Sequence, residues 1–317
     1  MKQTPEQQKP EHAGERMEFE VLAEGLAFPE GPIAMADGSV LVVEIARGTL
    51  TRVWNGKTEV IATPGGGPNG AAIGPDGAVW ITNNGGFEWH DVQGMLIPGH
   101  QAKDYAGGRI ERVDLSTGTV ERVYDAVNGF GLRGPNDLVF DGKGGFWFTD
   151  LGKSQARTRD QSGLYHARAD GSRIVEAAYG YVGLNGVGLS PDGATVYAAE
   201  THTAKLWAFD ITGEGAVAQP PFGQAGRVVA TMPGHVYFDS LAVEADGRVC
   251  VATLLDGGVT TIQPDGSWER VNFPDLLTTN ICFGGPDLQD AFITLSTTGK
   301  LIKARWPRAG LELAHVR

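Results

Sequence analysis

Residues 185–200, NGVGLSPDGATVYAAE, read as a β-hairpin: an alternating apolar run, a Pro-Asp-Gly turn that tolerates positive φ, and a second run of β-branched and aromatic residues. Its opening Asn185 stands eight residues before the turn glycine, Gly193. The same frame recurs along the chain as EGPIAMADGSVLVVE from Glu30, NGAAIGPDGAVWITN from Asn69, NDLVFDGKGGFWFTD from Asn136 and DSLAVEADGRVCVAT from Asp239. Gly38, Gly77, Gly144 and Gly247 fall at the same offset of eight. A sixth copy, NICFGGPDLQDAFIT from Asn280, has a longer turn.

The starts at 30, 69, 136, 185, 239 and 280 lie about 50 residues apart on average, with further short strands such as RGTLTRVWNG and KLWAFDITG between them. About four strands per repeat is the content of a propeller blade. The fold class expected is all-β, a six-bladed β-propeller of four-stranded antiparallel blades filling residues 17–317, with residues 1–16 a disordered tail. The strand-like EFEVLA at 18–23 precedes the first repeat, so it is expected to pair with the last blade and close the ring, which removes two free edges. The long interval from 69 to 136 is expected to hold a large rim loop around WHDVQGMLIPGHQAKDY.

Composition agrees. Gly and Pro together make 63 of 317 residues, against a usual share of about an eighth, which is too much punctuation for long helices. The net charge of −12 gives no basic field for nucleic acid or an anionic membrane. No run approaches the roughly 18 apolar residues of a membrane span, and the N-terminus has no apolar secretory core. Cys250 and Cys282 sit in apolar strand-like runs as free thiols, and no Asn-x-Ser/Thr acceptor occurs, which favours a cytoplasmic location. Nothing bears on oligomeric state.

In a propeller the innermost strand of every blade lines a central channel and runs the same way. The opening residues of the six repeats, Glu30, Asn69, Asn136, Asn185, Asp239 and Asn280, are therefore expected at one level around one mouth. A single Asn or Asp before a strand is explained by an Asx turn. Six in register are not. An oxygen-only set carrying two carboxylates suits a hard divalent cation, calcium first, with manganese, magnesium or zinc as alternatives, although zinc ordinarily recruits His or Cys.

FPEGP at 28–32, PND at 135–137, NGVGLSPDG at 185–193 and FDSLAVEADG at 238–247 resemble, in order, the motifs of the gluconolactonase, senescence marker protein and luciferin-regenerating enzyme family. The resemblance implies one divalent metal held by Glu30, Asn136, Asn185 and Asp239, and a small-molecule substrate, a sugar-type lactone. It also implies that Asp239 is catalytic, a metal ligand that takes the proton of the attacking water. A hydroxide carried by the metal is the competing base. The family often places an Arg two residues before the second-motif Asn, where this chain has Gly134, with Arg133 one step back.

Candidate substrate contacts are Arg133, Asn69, Tyr105, Asn84, His235 and Tyr237, with Trp89 and His90 beside them; His202 is read as exposed. A G-x-G-x-x-G pattern occurs at Gly65, Gly67, Gly70 and again at Gly129, Gly131, Gly134, but each runs straight into a repeat's first strand rather than a helix, so dinucleotide binding is rejected. No G-x-S-x-G, HExxH or CxxC is present. Besides lactone hydrolysis, the same ring fits a phosphotriester hydrolase or a binding scaffold with a structural metal.

Overall fold

The computed structural model describes residues 15–316. The expected tail falls outside the described residues over 1–14, and Glu15–Arg16 runs parallel to Trp268–Asn272. The chain forms a six-bladed β-propeller, and no helix is present among the described residues.

The inner strands are Pro29–Ala34, Pro68–Ile73, Pro135–Phe140, Leu184–Leu189, Tyr237–Val243 and Thr278–Gly284. Each pairs antiparallel with the next strand in sequence, and two more complete the blade. Phe19–Ala23 pairs with Lys300–Arg305 as the outermost strand of the sixth blade, so the N-terminal strand closes the ring as its sequence position predicts. The glycines at the +8 offset all carry positive φ, from 66° at Gly193 to 91° at Gly144. Before four of them an aspartate accepts the backbone N–H two residues on, Asp37 from Ser39, Asp76 from Ala78, Asp192 from Ala194 and Asp246 from Arg248. These Asx turns fix the hairpin register.

Apolar packing lies between blades. Trp147 and Leu164 of the third blade, for example, pack with Val187, Val196 and Phe209 of the fourth. Hydroxyls stitch the inner strands across the same seams: Thr82 donates to the Asn136 carbonyl at 2.6 Å, Thr149 to the Asn185 carbonyl, and Ser296 to the Pro29 carbonyl at 2.6 Å. Gly70 and Gly186 make this approach possible, because a Cβ there would stand 2.6 Å from Asn136 O and 2.5 Å from Leu241 N.

The segment 309–316 crosses the channel end opposite the ring mouth. Leu311 N donates to Val243 O at 2.8 Å and Gly310 N to Leu288 O at 2.8 Å, while Leu311 and Leu313 line the apolar lower channel with Leu138, Val187 and Leu241. The channel is thus polar at one mouth and plugged by apolar side chains at the other. The long second-repeat interval is more regular than a loop. Phe87–Val92 and Met95–Gln101 form a hairpin, turning at Gln93 and Gly94 with φ of 58° and 81°, the two positive angles of a type I′ turn.

Candidate metal centre and mouth of the channel

All six opening residues lie within the first three positions of their inner strands. In every blade the register with the second strand shifts here, as between Glu30 and Ile33 or between Phe238 and Leu241. Such β-bulges re-aim side chains next to functional sites. Here each shift lies at or next to a ring residue.

Glu30, Asn136 and Asn185 are buried, and Asp239 is half-buried. The Glu30 carboxylate accepts Nδ2 of Asn280 at 2.7 Å and its neighbour's amide, Gly31 N, at 2.9 Å. Burial nevertheless pushes its pKa up to about 7. Asp239 is held well above the usual carboxylate range by burial and by the charge of Glu30, with the Asn185 side chain and the Ser240 amide opposing. Asp137, one residue past Asn136, is raised by burial and by Glu30 as well. The channel therefore gathers carboxylates that repel one another.

Two oxygens complete the picture. Asn136 Oδ1 and Asn185 Oδ1 are buried and accept no hydrogen bond from the protein. A buried acceptor left unpaired costs roughly 1–3 kcal/mol. The Asn185 amide is oriented by its other end, with Nδ2 donating to Thr201 Oγ1 at 3.2 Å. Among the described residues no three His, Cys, Asp or Glu side chains converge as a metal site, so a cation held here depends on the amide oxygens. Two unpaired carbonyl oxygens beside two mutually repelling carboxylates are a donor set for a hard divalent cation.

The remaining ring members differ in use. Asn69 is buried at its strand start. Asn280 supports Glu30 and accepts Ile281 N at 2.8 Å through Oδ1, so both ends of its amide are engaged within the protein.

The other sequence candidates divide into two groups on the rim. Over the second and third blades, Tyr105 OH donates to Arg133 O at 2.6 Å, the Arg133 guanidinium lies 5.3 Å from the Tyr105 ring centroid, and Arg133 Nε donates to Asp160 at 2.9 Å. Asn84 is buried beside them and accepts Gly86 N at 2.8 Å. Over the fifth blade, His235 and Tyr237 meet at 3.2 Å, and the Tyr237 ring stands 5.6 Å from that of His202 on the fourth. His202, read as exposed, is half-buried with its pKa lowered to about 4, chiefly by desolvation.

Sequence reading missed Lys153, which is 2% exposed. Its ammonium donates to Gly86 O at 2.7 Å and lies 3.9 Å from the Phe87 ring centroid; its stem passes 3.3 Å from where a Cβ of Gly134 would be. Desolvation lowers its pKa to about 7. Asp150, which accepts the N–H groups of Arg133, Gly134 and Gly152, was missed too. The usable signal was its place at the end of a second strand, opposite Pro135.

Residues 28–297 match the family model described as SMP-30/Gluconolactonase/LRE-like region. A gluconolactonase of Zymomonas mobilis is 24% identical over 313 residues, covering 88% of this chain and 79% of the relative. Lactonase drp35 of Staphylococcus saprophyticus is 29% identical over 254 residues, covering 78% and 70%. Among solved structures, regucalcin of Agrobacterium tumefaciens, a calcium-binding protein, superposes with a TM-score of 0.72 at 18% identity over 94% of this chain and 99% of that one, a likeness of fold.

Proposed function

Because the chain belongs to the SMP-30/Gluconolactonase/LRE-like family, we propose that it is a lactonase, hydrolysing a small lactone at a divalent cation held in the polar mouth of the propeller. The names of the two relatives, gluconolactonase and lactonase, support the reaction. The observation that carries the site is the pair of unpartnered buried oxygens, Asn136 Oδ1 and Asn185 Oδ1, in a ring with Glu30 and Asp239.

Glu30, Asn136, Asn185 and Asp239 would hold the cation. The calcium named for the regucalcin structure makes calcium the first candidate. When bound, the cation supplies a Lewis acid that polarises the lactone carbonyl. The chain's own groups supply the rest. Asp239 accepts a proton from the attacking water, whose oxygen bonds to the carbonyl carbon. The ring C–O bond breaks, and the proton passes from Asp239 to the departing alkoxide, giving a hydroxy acid. Asn280 and Gly31 N hold the Glu30 carboxylate, and Thr201 holds the Asn185 amide, so the ring is oriented before any ligand arrives. The apolar plug of Leu311 and Leu313 closes the far end, leaving the mouth as the route for water and lactone.

A panel of sugar and aliphatic lactones assayed by acid release tests the reading, with chelated protein and after re-addition of calcium, manganese, zinc and magnesium. Metal-restored hydrolysis of at least one lactone is expected. No metal-dependent rate on any of them overturns it.

A further inference from the structure

The hairpin Phe87–Gln101 is inserted after the second strand of the second blade, yet it reaches well beyond that blade. Leu96 N donates to Thr297 O of the sixth blade at 3.0 Å, and Gln101 N donates to Ser154 O beyond the third at 3.0 Å. Thr297 and Ser154 both follow second strands, whose ends pair with the openings of the inner strands, so the hairpin lies along the ring mouth as a strap. Alternation puts Phe87 and Trp89 on one face, with ring centroids 6.0 Å apart. That face is turned to the propeller: Trp89 lies 5.1 Å from Phe28, two residues before Glu30, and Phe87 covers the Lys153 ammonium. Both strap aromatics remain half-buried, so part of each ring is open.

Most polar side chains of the same rim are committed to partners, Asn84 Nδ2 and Gln101 Oε1 being buried without one. Arg133 is paired with Asp160, Tyr105 donates to a backbone carbonyl, Lys153 is capped by Phe87, and His235 is bonded to Tyr237. A site that grips sugar hydroxyls needs donors and acceptors held free for them, because discrimination for a hydroxyl comes from polar groups that would otherwise stay unpaired. Against those two groups the rim sets open aromatic surface held in place by a tight turn.

From this juxtaposition we infer that the strap is a specificity element: Trp89 and Phe87 form an apolar wall on the rim beside Phe28 that selects a lactone bearing an alkyl or aryl substituent over a polyhydroxylated one. The inference rests on the lactonase reading and departs from the sugar-type ring implied by family resemblance. The wall acts on the substituent and leaves the ester chemistry at Asp239 untouched.

The test compares γ-butyrolactone, γ-decanolactone and gluconolactone in the metal-loaded wild type, Trp89→Ala and Trp89→Phe, with calorimetric binding of the unreactive lactam 5-hexyl-2-pyrrolidinone alongside. Wild-type kcat/KM is expected to be at least about tenfold higher for γ-decanolactone than for the other two, the discrimination an apolar pocket gives. Trp89→Ala should lose about tenfold on γ-decanolactone, through KM, and on lactam affinity, with a much smaller loss on γ-butyrolactone; Trp89→Phe should keep the preference. A wild-type preference for gluconolactone overturns the inference while leaving the lactonase reading intact. So does an equal loss on both aliphatic lactones in Trp89→Ala. Hydrolysis of none of the three fails the lactonase reading and this inference with it.

Discussion

The Asn280 amide donates to the Glu30 carboxylate at 2.7 Å across the seam where the last blade meets the first, joining residues 250 positions apart in sequence. Ring closure and orientation of a site carboxylate are thus the same contact. Asn280→Ala removes this side-chain donor and leaves the Glu30 carboxylate held less firmly, with Gly31 N still donating at 2.9 Å. Loss of such a supporting partner typically costs 10- to 100-fold in metal affinity, so calcium affinity by calorimetry is expected to fall about tenfold or more, with the propeller still folded.

Glu30 also sets a pH dependence. Its folded pKa, about 7, lies above the ordinary glutamate value of 4.5, so between those values the unfolded chain has lost a proton that the metal-free native state retains. Stability of the chelated protein should therefore fall as pH rises from about 4.5 to about 7. Calcium replaces the proton as the partner of the carboxylate, and thermal melts with and without it should diverge increasingly toward pH 7 and above.

Where inner strands touch, a single methyl is too much. A Cβ at residue 186 would stand 2.5 Å from Leu241 N and 2.6 Å from the Ser240 carbonyl carbon, both backbone atoms. Gly186→Ala is expected to destabilise by about 1–3 kcal/mol in urea melts, the usual range for overpacking, and to weaken metal binding because Asn185 is its neighbour.

The channel plug is anchored through a buried charge. Glu244 is fully buried and receives Trp306 Nε1 at 2.7 Å, Cys250 Sγ at 3.2 Å and the guanidinium of Arg308. Arg308→Ala leaves that carboxylate without its cation and is expected to destabilise by about 3–5 kcal/mol in chemical denaturation. Arg308→Lys should recover part of the loss.

The ring positions were legible because one frame, a polar opening residue and a glycine eight later, repeats with the blade, and a repeated offset becomes a repeated height once the strands are parallel to one axis. Closure by residues 18–23 was legible for the same reason, since that strand lies outside the first repeat. The bulges next to Glu30 and Asp239 were not, because a bulge is set by the pairing of two strands rather than by one strand's own alternation. The strap reads as a loop in the sequence because Pro98 and Gly99 interrupt its second strand and the Gln-Gly turn is weaker than Asn-Gly. Lys153 was invisible because its burial is produced by that strap closing over it. The repeat frame puts Asn280 at a strand opening, but only its contact with Glu30 shows that it positions a carboxylate.

Asp239→Asn, assayed for calcium binding and for lactone hydrolysis in the same preparation, tests the role of this carboxylate most directly. Amide for carboxylate keeps an oxygen for the cation and removes the proton acceptor, so weakened but measurable calcium binding is predicted together with a fall in kcat of at least about 100-fold, the lower end of what a general base contributes. Hydrolysis within a few-fold of wild type at saturating calcium would contradict the account and remove Asp239 from the reaction.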